Sequence, residues 1–389
     1  MTGREPTMTV LPPPTGPYAI GTVTRRWTDP DRPDIFVGPD AGPRELMVQL
    51  WYPAEPQPGA RVAPYVEDPR TLEQLALLMK LPRDAFAHLG DVRTHAVPGA
   101  PVADDETAYP VLLFSHGRCG VREHNTIQVE DLASHGYVVV TIDHSHAASG
   151  VRFPDGRLVE FDPRLLPPWP RHAPDDPQGP WIDSVIPYLA EDLRFVLRRV
   201  AALNADRAEP LAGHLDLERV GVFGVSLGGV VAAEACAHEP GFAALMSLDA
   251  YVPADALSGR LRQPTIWITR DAATMRREGW DEYDVSLAHR SMRVAFEGLP
   301  GDGYIVLVPG MYHIDFSDGR LLSPLIAKRG ISGSIDVDRA IEVVRTYSVA
   351  FFDRHVKGIA APLLDDGPVP EPDLAFERRR RTAPAPVAV

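Results

Sequence analysis

Seven short apolar segments, separated by helical patterns, outline the architecture of this chain. They lie at residues 46–52, 111–115, 137–143, 220–224, 243–248, 265–269 and 304–308. Most are apolar throughout, which is typical of strands buried on both faces of a parallel sheet. Helical periodicity lies between them, at residues 125–134, 186–204, 227–237 and 337–355. This alternation predicts an α/β protein with a doubly wound, mostly parallel sheet and helices on both faces.

Proline clusters interrupt the pattern and mark its loops. The chain of 389 residues contains 40 prolines, and many fall within residues 11–17, 53–64, 154–180 and 361–386. Because proline fixes φ and lacks an N–H group, these stretches are expected to be loops or linkers. We therefore expect a flexible N-terminus at residues 1–14, one domain at residues 15–358 and a disordered, solvated tail at residues 359–389. Insertions near residues 54–100 and 150–182 could form a cap, with Phe153, Trp169 and Trp181 as an apolar lining or as ordinary packing residues.

Composition narrows the class of protein. A net charge of −14 argues against a nucleic-acid partner, which would need a basic surface. No apolar run is long enough to span a membrane, and the N-terminus lacks the apolar core of a signal peptide, which favours a cytoplasmic location. The two cysteines, Cys119 and Cys236, form no C-x-x-C motif, so neither a disulfide framework nor a thiolate zinc site is expected. We expect no cofactor or metal, and the oligomeric state stays open.

Residues 224–228 carry the strongest chemical signal. They read Gly-Val-Ser-Leu-Gly, between a predicted strand and an Ala-rich helix. A G-x-S-x-G motif at such a junction is typical of the nucleophile elbow of an α/β-hydrolase, with Ser226 as the nucleophile. The glycines are needed because side chains two residues either way would meet neighbouring backbone. The alternative is a structural serine in a Gly-rich turn.

A serine nucleophile needs a base and an acid. His313 follows the last predicted strand and comes after the serine and both acid candidates, as the fold requires. Asp249 and Asp271 each follow a strand beyond the elbow, and spacing alone does not choose between them. His116, His144 and His146 also lie at strand ends, but they precede the serine, so we assign them structural roles.

An oxyanion formed at this serine needs two backbone donors. The N–H of Leu227, directly after the serine, is one candidate. The other is the N–H of Arg118, in the His-Gly-Arg loop that follows residues 111–115. The Arg118 side chain could contact a carboxylate or phosphate of a substrate, or pair with a local acid.

Four groups of motifs resemble the platelet-activating factor acetylhydrolases of the plasma and intracellular type II group. These motifs are TGPYAIG (15–21) with LWYP (50–53), LFSHG (113–117) with DLASHGYVVVTID (131–143), the elbow with SLDAY (247–251), and GMYHIDFSD (310–318). The resemblance implies calcium-independent hydrolysis of short-acyl or lipid-like esters by a Ser–Asp–His triad, with Asp249 as the acid. The chain departs from the family pattern at Val225 and Arg118. With Tyr251, these are our candidates for the substrate pocket.

The same segments also resemble bacterial cutinases and polyester hydrolases. That neighbouring group generally takes its acid from the later strand, here Asp271, and is generally secreted. Our hypothesis is a carboxylic-ester hydrolase that acts through an acyl-enzyme. The alternatives are a lactonase, thioesterase or acyltransferase, a polyester hydrolase, a non-catalytic binding protein on a hydrolase scaffold, and a binder of lipid surfaces.

Overall fold

A large twisted sheet forms the centre of the protein. The computed structural model describes residues 11–38, 42–106, 108–166, 179–365 and 373–380. The strands in this part of the chain are β1 (Ala19–Pro33), β2 (Pro43–Ala54), β3 (Ala96–Pro98), β4 (Tyr109–Ser115), β5 (Val138–Asp143), β6 (Gly150–Arg152), β7 (Leu158–Glu160), β8 (Leu215–Val225), β9 (Phe242–Leu248), β10 (Thr265–Thr269), β11 (Gly303–Leu307) and β12 (Ala375–Arg379). The main sheet has the order β12-β11-β10-β9-β8-β4-β5-β2-β1-β3, while β6 and β7 pair separately.

The middle of the main sheet is parallel and its margins are mixed. Strands β5, β4, β8, β9, β10 and β11 run parallel, whereas β2 joins β5 antiparallel, β1 joins β2 antiparallel and β12 joins β11 antiparallel. Functional residues in such sheets collect at the carboxyl ends of the parallel strands. The parallel pairing of the six central strands confirms the prediction of a mostly parallel α/β sheet.

Helices cover both faces of this sheet. They are α1 (Glu73–Leu78), α2 (Thr126–Ser134), α3 (Gly179–Ala205), α4 (Leu227–His238), α5 (Ala272–Glu278), α6 (Glu282–Gly298), α7 (Gly319–Leu322), α8 (Pro324–Lys328) and α9 (Val337–Phe352). Alternate residues of β4 face opposite layers. Val111 and Leu113 belong to the buried cluster that includes α3, α4 and α6, whereas Leu112 and Phe114 belong to the cluster with α2 and α9.

Two of the longer elements were not predicted because their sequences lack the apolar signal. Strand β1 reads AIGTVTRRWTDPDRP, in which charged residues and prolines hide the pattern, yet it pairs with β2 along most of its length. Helix α6 reads EYDVSLAHRSMRVAFEG and buries only a narrow stripe that includes Val285, Met292 and Phe296. Both lie at positions where the fold leaves one face exposed to solvent.

Part of the expected tail is ordered. Residues 375–379, which we expected to be disordered, form β12 on the edge of the sheet beside β11. The Phe376 ring stacks on Tyr304 at a centroid distance of 6.2 Å. Glu377 pairs with Arg293 of α6, with N–O distances of 2.6 and 2.9 Å. The free edge of β11, the Phe376 ring and the Glu377 ion pair together hold a segment that composition alone assigns to disorder.

Candidate active site

Ser226 lies on a tight turn between β8 and α4. Its backbone has φ 56° and ψ −124°, a conformation that L-residues rarely adopt. A Cβ atom on Gly224 would lie 2.3 Å from backbone atoms of Gly228, and one on Gly228 would lie 2.0 Å from the carbonyl oxygen of Ser115. Both glycines are therefore required for the turn, as the motif predicts.

The imidazole of His313 joins Ser226 to Asp249. Its Nε2 lies 2.8 Å from Ser226 Oγ, and its Nδ1 makes a short hydrogen bond to Asp249 Oδ2. His313 begins a turn (His313–Phe316) that follows β11, and Asp249 directly follows β9. The three side chains, drawn from the carboxyl ends of different parallel strands, form one hydrogen-bonded series that can carry a proton from the serine hydroxyl.

Asp249 is buried and strongly held in its ionised form. Thr269 donates its hydroxyl at 2.6 Å, and Arg270 donates from Nε at 3.1 Å and from Nη2 at 2.8 Å. Burial by itself raises the pKa of Asp249, but the Arg270 cation and the hydrogen bond from His313 lower it by more, so the net shift is downward. Asp249 has a positive φ of 47°.

Asp271 serves a different purpose in the structure. It is the N-cap of α5, where its carboxylate accepts from the Thr274 N–H at 2.9 Å and from the Thr274 hydroxyl at 2.7 Å. That hydroxyl in turn accepts from the N–H of Gly310 at 3.1 Å. Asp271 is therefore turned toward its own helix, and Asp249 occupies the position beside His313.

Sequence reasoning missed a second layer of charge behind His313. Arg270 forms an ion pair with Glu278, whose carboxylate also accepts from the backbone N–H of His313 at 3.2 Å. The Trp280 ring lies edge-on to His313 at 5.2 Å and beneath the Arg270 guanidinium at 4.6 Å. The positions of Glu278 and Trp280 depend on where α5 ends, which the sequence pattern did not reveal.

The candidate oxyanion donors border the same space. Leu227 is the first residue of α4, where the N–H groups of a helix have no partner within the helix. Arg118 follows Gly117, and a Cβ atom on Gly117 would lie 3.3 Å from Ser226 Cβ. Among the described residues, five non-glycine residues have a positive φ, and three of them are Cys119, Ser226 and Asp249. Strain of this kind is concentrated at functional sites.

The three candidate pocket residues differ in environment. Val225 is only 4% exposed and packs in the cluster beneath the sheet, so it contributes to the core. Burial lowers the pKa of the Arg118 guanidinium to about 10, against the opposing effect of neighbouring Tyr251 and Asp284. Arg118, in the loop after β4, and Tyr251 are both half-buried, whereas Val225 does not line an open surface.

The expected cap is described only in part. Residues 65–92 form a small core of their own with residues of α2, α7 and α8, and they pack near the loop after β4. Phe153 packs with Met47, Ala148 and Val151, which is ordinary core packing. Trp169 lies outside the described residues, and so does the side chain of Trp181.

Two further features lie away from Ser226. A cleft of about 520 Å³ between α2 and α9 contains the Arg345–Asp131 ion pair and none of the predicted site residues. At the far end of α4, Glu234, His238 and Asp255 have potential metal-ligand atoms within 4.8 Å of one another. His238 Nε2 lies 2.9 Å from Asp255 and 3.3 Å from Glu234, so the imidazole itself occupies the centre of that group. Within the described residues, the helices lack the combination of length and apolarity that crossing a membrane requires.

Comparison with known proteins places this chain in a family. The sequence model of the family described as platelet-activating factor acetylhydrolase, isoform II, matches residues 5–154 and 198–360, which is more than half of the chain. The chain belongs to this family. A platelet-activating factor acetylhydrolase of Cavia porcellus is 24% identical over 373 residues, covering 90% of this chain and 78% of that protein. The corresponding protein of Canis lupus familiaris is also 24% identical, and the match spans 61% of its length.

Two other similar proteins also bear names of esterases. A probable 1-alkyl-2-acetylglycerophosphocholine esterase of Arthroderma benhamiae is 23% identical, with 95% of this chain and 94% of that protein covered. The solved structure of a ferulic acid esterase from Streptomyces cinnamoneus superimposes with a TM-score of 0.75 at 30% identity, covering 95% of this chain and 99% of that one. The expected family resemblance and α/β-hydrolase fold are confirmed, and the comparisons support a carboxylic-ester hydrolase.

Proposed function

We propose that this protein is a serine carboxylic-ester hydrolase that works through an acyl-enzyme intermediate. The observation that carries the proposal is the hydrogen-bonded series from Ser226 through His313 to Asp249, with the serine on a strained turn. A serine hydroxyl is a weak nucleophile until a base within hydrogen-bond reach takes its proton. The 2.8 Å distance from His313 Nε2 to Ser226 Oγ meets that condition.

In the first half of the proposed reaction, Ser226 Oγ attacks the ester carbonyl while His313 takes its proton. The carbonyl oxygen becomes an oxyanion, and the N–H groups of Leu227 and Arg118 stabilise it. When the carbon–oxygen bond to the alcohol breaks, His313 returns the proton to the departing oxygen. Asp249 keeps the imidazole in the required tautomer and stabilises it while it is charged.

The second half repeats these steps with water. His313 removes a proton from water, the resulting hydroxide adds to the acyl carbonyl, and a second oxyanion forms at the same donors. Ser226 then leaves and regains its proton from His313, which releases the carboxylic acid. In this sequence His313 carries every proton, and backbone N–H groups hold both oxyanions.

Short-acyl or lipid-like esters are the substrate class that we propose first, because the family and the similar proteins of Cavia porcellus and Arthroderma benhamiae are named for esters of this kind. The structural match with the ferulic acid esterase favours a second class, esters of aromatic carboxylic acids. Relative kcat/KM for 1-alkyl-2-acetylglycerophosphocholine and for methyl ferulate would separate them. The same residues would also act on a polyester, a lactone or a thioester, or with an acyl acceptor other than water. Location in the cytoplasm stays a prediction.

The proposal is tested by replacing the nucleophile. We expect Ser226→Ala to fold normally and to lose hydrolysis of short p-nitrophenyl esters and labelling by a fluorophosphonate probe. Ser258→Ala, at an exposed serine on a separate turn, is the matched control and should retain both. Full activity of Ser226→Ala would contradict the mechanism. Absence of labelling and hydrolysis in the unaltered protein would favour a binding protein on a hydrolase scaffold.

A further inference from the structure

A second, buried Ser–His–Asp series lies beneath the loop that follows β4. His144 Nδ1 is 2.9 Å from Asp192 Oδ2, and His144 Nε2 is 2.8 Å from Ser115 Oγ. All three residues are at most 1% exposed, so substrate cannot reach them. Ser115 is the last residue of β4 and directly precedes His116 and Gly117 of the candidate oxyanion loop.

Asp192 is fixed as a carboxylate, which determines the proton on His144. Arg44 donates to it from Nη2 at 2.8 Å and from Nε at 3.2 Å, and Arg32 makes a further ion pair. Burial raises the pKa of Asp192, but the attraction of Arg44 and Arg32 outweighs burial and leaves the pKa well below its usual range. Because the carboxylate can only accept, Nδ1 of His144 carries a proton and the ring is held in one orientation.

The backbone of His144 then determines the tautomer of His116. The N–H of His144 donates to His116 Nε2 at 3.2 Å, so that nitrogen must offer its lone pair. The proton of the neutral ring is therefore on Nδ1, which donates to the carbonyl oxygen of Gly117 at 2.7 Å. Burial lowers the pKa of His116 well below its usual value, in agreement with a neutral ring.

This hydrogen bond orients the peptide group that contains the N–H of Arg118. The carbonyl oxygen of Gly117 also accepts from the N–H of Gly120 at 2.9 Å, so two donors hold it. In a planar trans peptide, the next N–H points in the direction opposite to the carbonyl. The Arg118 N–H therefore points away from the His116 ring, on a peptide whose Gly117 packs against Ser226.

We propose that His116 is a positioning residue for ester hydrolysis, holding the Gly117–Arg118 peptide so that the Arg118 N–H meets the developing oxyanion. The backbone N–H of His144 acts through it, because that N–H fixes the tautomer of His116, while Asp192 fixes only the ring of His144. The inference rests on the proposed serine-hydrolase function. It explains why His116 and His144, at the ends of strands, are buried rather than exposed to substrate. Donors that are oriented in advance stabilise an oxyanion without reorganising during the reaction.

The test compares two polar replacements that differ in reach. The side-chain amide of Asn lies near the position of imidazole Nδ1, so His116→Asn can still donate to the Gly117 carbonyl. The amide of Gln reaches toward the Nε2 position, so His116→Gln loses that donor, and His116→Leu loses both partners. His355→Leu is the control, since His355 is a half-buried histidine that bonds Tyr304 at 3.1 Å and lies outside this network.

The measurements are kcat, KM and the ratio of rates on an oxygen ester and its thionoester. Sulfur accepts hydrogen bonds weakly, so this ratio reports the oxyanion donors rather than the general fold. We expect kcat of the Gln and Leu variants to fall about 10²–10³-fold with little change in KM. We expect their oxygen-to-thiono ratio to collapse by at least tenfold. His116→Asn and His355→Leu should keep the ratio of the unaltered protein.

An unchanged ratio in the folded Gln and Leu variants would overturn the inference, as would an equal collapse in Asn and Gln. Melting curves identify any variant that fails to fold. If the Leu variant fails to fold, the comparison of His116→Asn with His116→Gln still tests the inference. These outcomes are separable from failure of the proposed function. If the proposed function fails, neither the unaltered protein nor any variant at position 116 would show hydrolysis that depends on Ser226.

Discussion

The ion pair between Arg270 and Asp249 gives a quantitative prediction. Both side chains are at most 2% exposed, and their N–O distance is 2.8 Å. At an effective dielectric constant of about 20, two unit charges at this distance attract by about 6 kcal/mol, an upper limit for the pair. Arg270→Gln removes the cation and leaves the carboxylates of Asp249 and Glu278 without their shared partner. We expect a loss of about 3–5 kcal/mol in the free energy of unfolding, since buried carboxylates left unpaired are costly.

The same change should alter the pH dependence. The pKa of Asp249 lies below its usual value in the folded protein, so its contribution to stability is present at neutral pH and is lost as pH falls through its titration. In Arg270→Gln the carboxyl group takes up its proton at higher pH, when it can no longer accept from His313. The acid limb of kcat/KM should therefore move to higher pH, and the stability difference between variant and unaltered protein should narrow as the pH is lowered.

Denaturant unfolding and pH–rate profiles measure both effects. The matched control is Arg293→Gln, which breaks a two-bond ion pair with Glu377 in which both side chains are more than 40% exposed. Solvent screening should hold its cost below about 1 kcal/mol. If Arg270→Gln costs no more than the control and leaves the pH profile unchanged, the reasoning about this pair is refuted.

Two further predictions concern the other carboxylates near the site. Asp271→Ala should lower the free energy of unfolding by about 1 kcal/mol through loss of the α5 cap and leave most of kcat. Asp249→Asn should lower kcat by roughly 10⁴-fold. If steady-state assays instead show the larger loss of kcat in Asp271→Ala, Asp271 is the acid. Burial raises the pKa of Asp318 to about 8, with Tyr65 and the Ile127 N–H as its partners. Because a raised carboxyl pKa makes the folded state lose stability as pH rises from about 4 to above 8, Asp318→Asn should increase the melting temperature more at pH 9 than at pH 5. An equal increase at both pH values would contradict this prediction.

The parts of the fold that could be predicted are those buried on both sides. Strands β4, β5, β9 and β10 and the second half of β8 are mostly apolar runs, so their sequences reveal both their type and their place in a parallel sheet. Strand β1 and helix α6 each expose one face, and polar residues obscure their pattern. Strand β12 depends on an edge supplied by β11, which no local pattern can indicate.

The candidate site also contains some residues that the sequence predicts and one choice that it does not settle. Ser226 and His313 follow from a motif and from chain order, because the hydrolase fold fixes both. The choice between Asp249 and Asp271 could not be made from spacing, since β9 and β10 are neighbours and end at the same edge of the sheet. What separates them is the hydrogen-bond partner of each carboxylate: Asp249, which has a positive φ, bonds His313, while Asp271, which has extended backbone, caps α5. The sequence does not encode that difference locally.

The two Ser–His–Asp series bear on how active sites are recognised in coordinates. Ser115, His144 and Asp192 have hydrogen-bond distances that a geometric template for a catalytic triad would accept, 2.8 and 2.9 Å. They are nevertheless sealed from solvent, and Ser115 lies in regular strand backbone, whereas Ser226 is partly exposed on a left-handed turn. Within the described part of the chain, a template based on three side chains would therefore accept this buried series as well as the one at Ser226. The accessibility of the hydroxyl and the positive φ at its Cα distinguish Ser226 from Ser115.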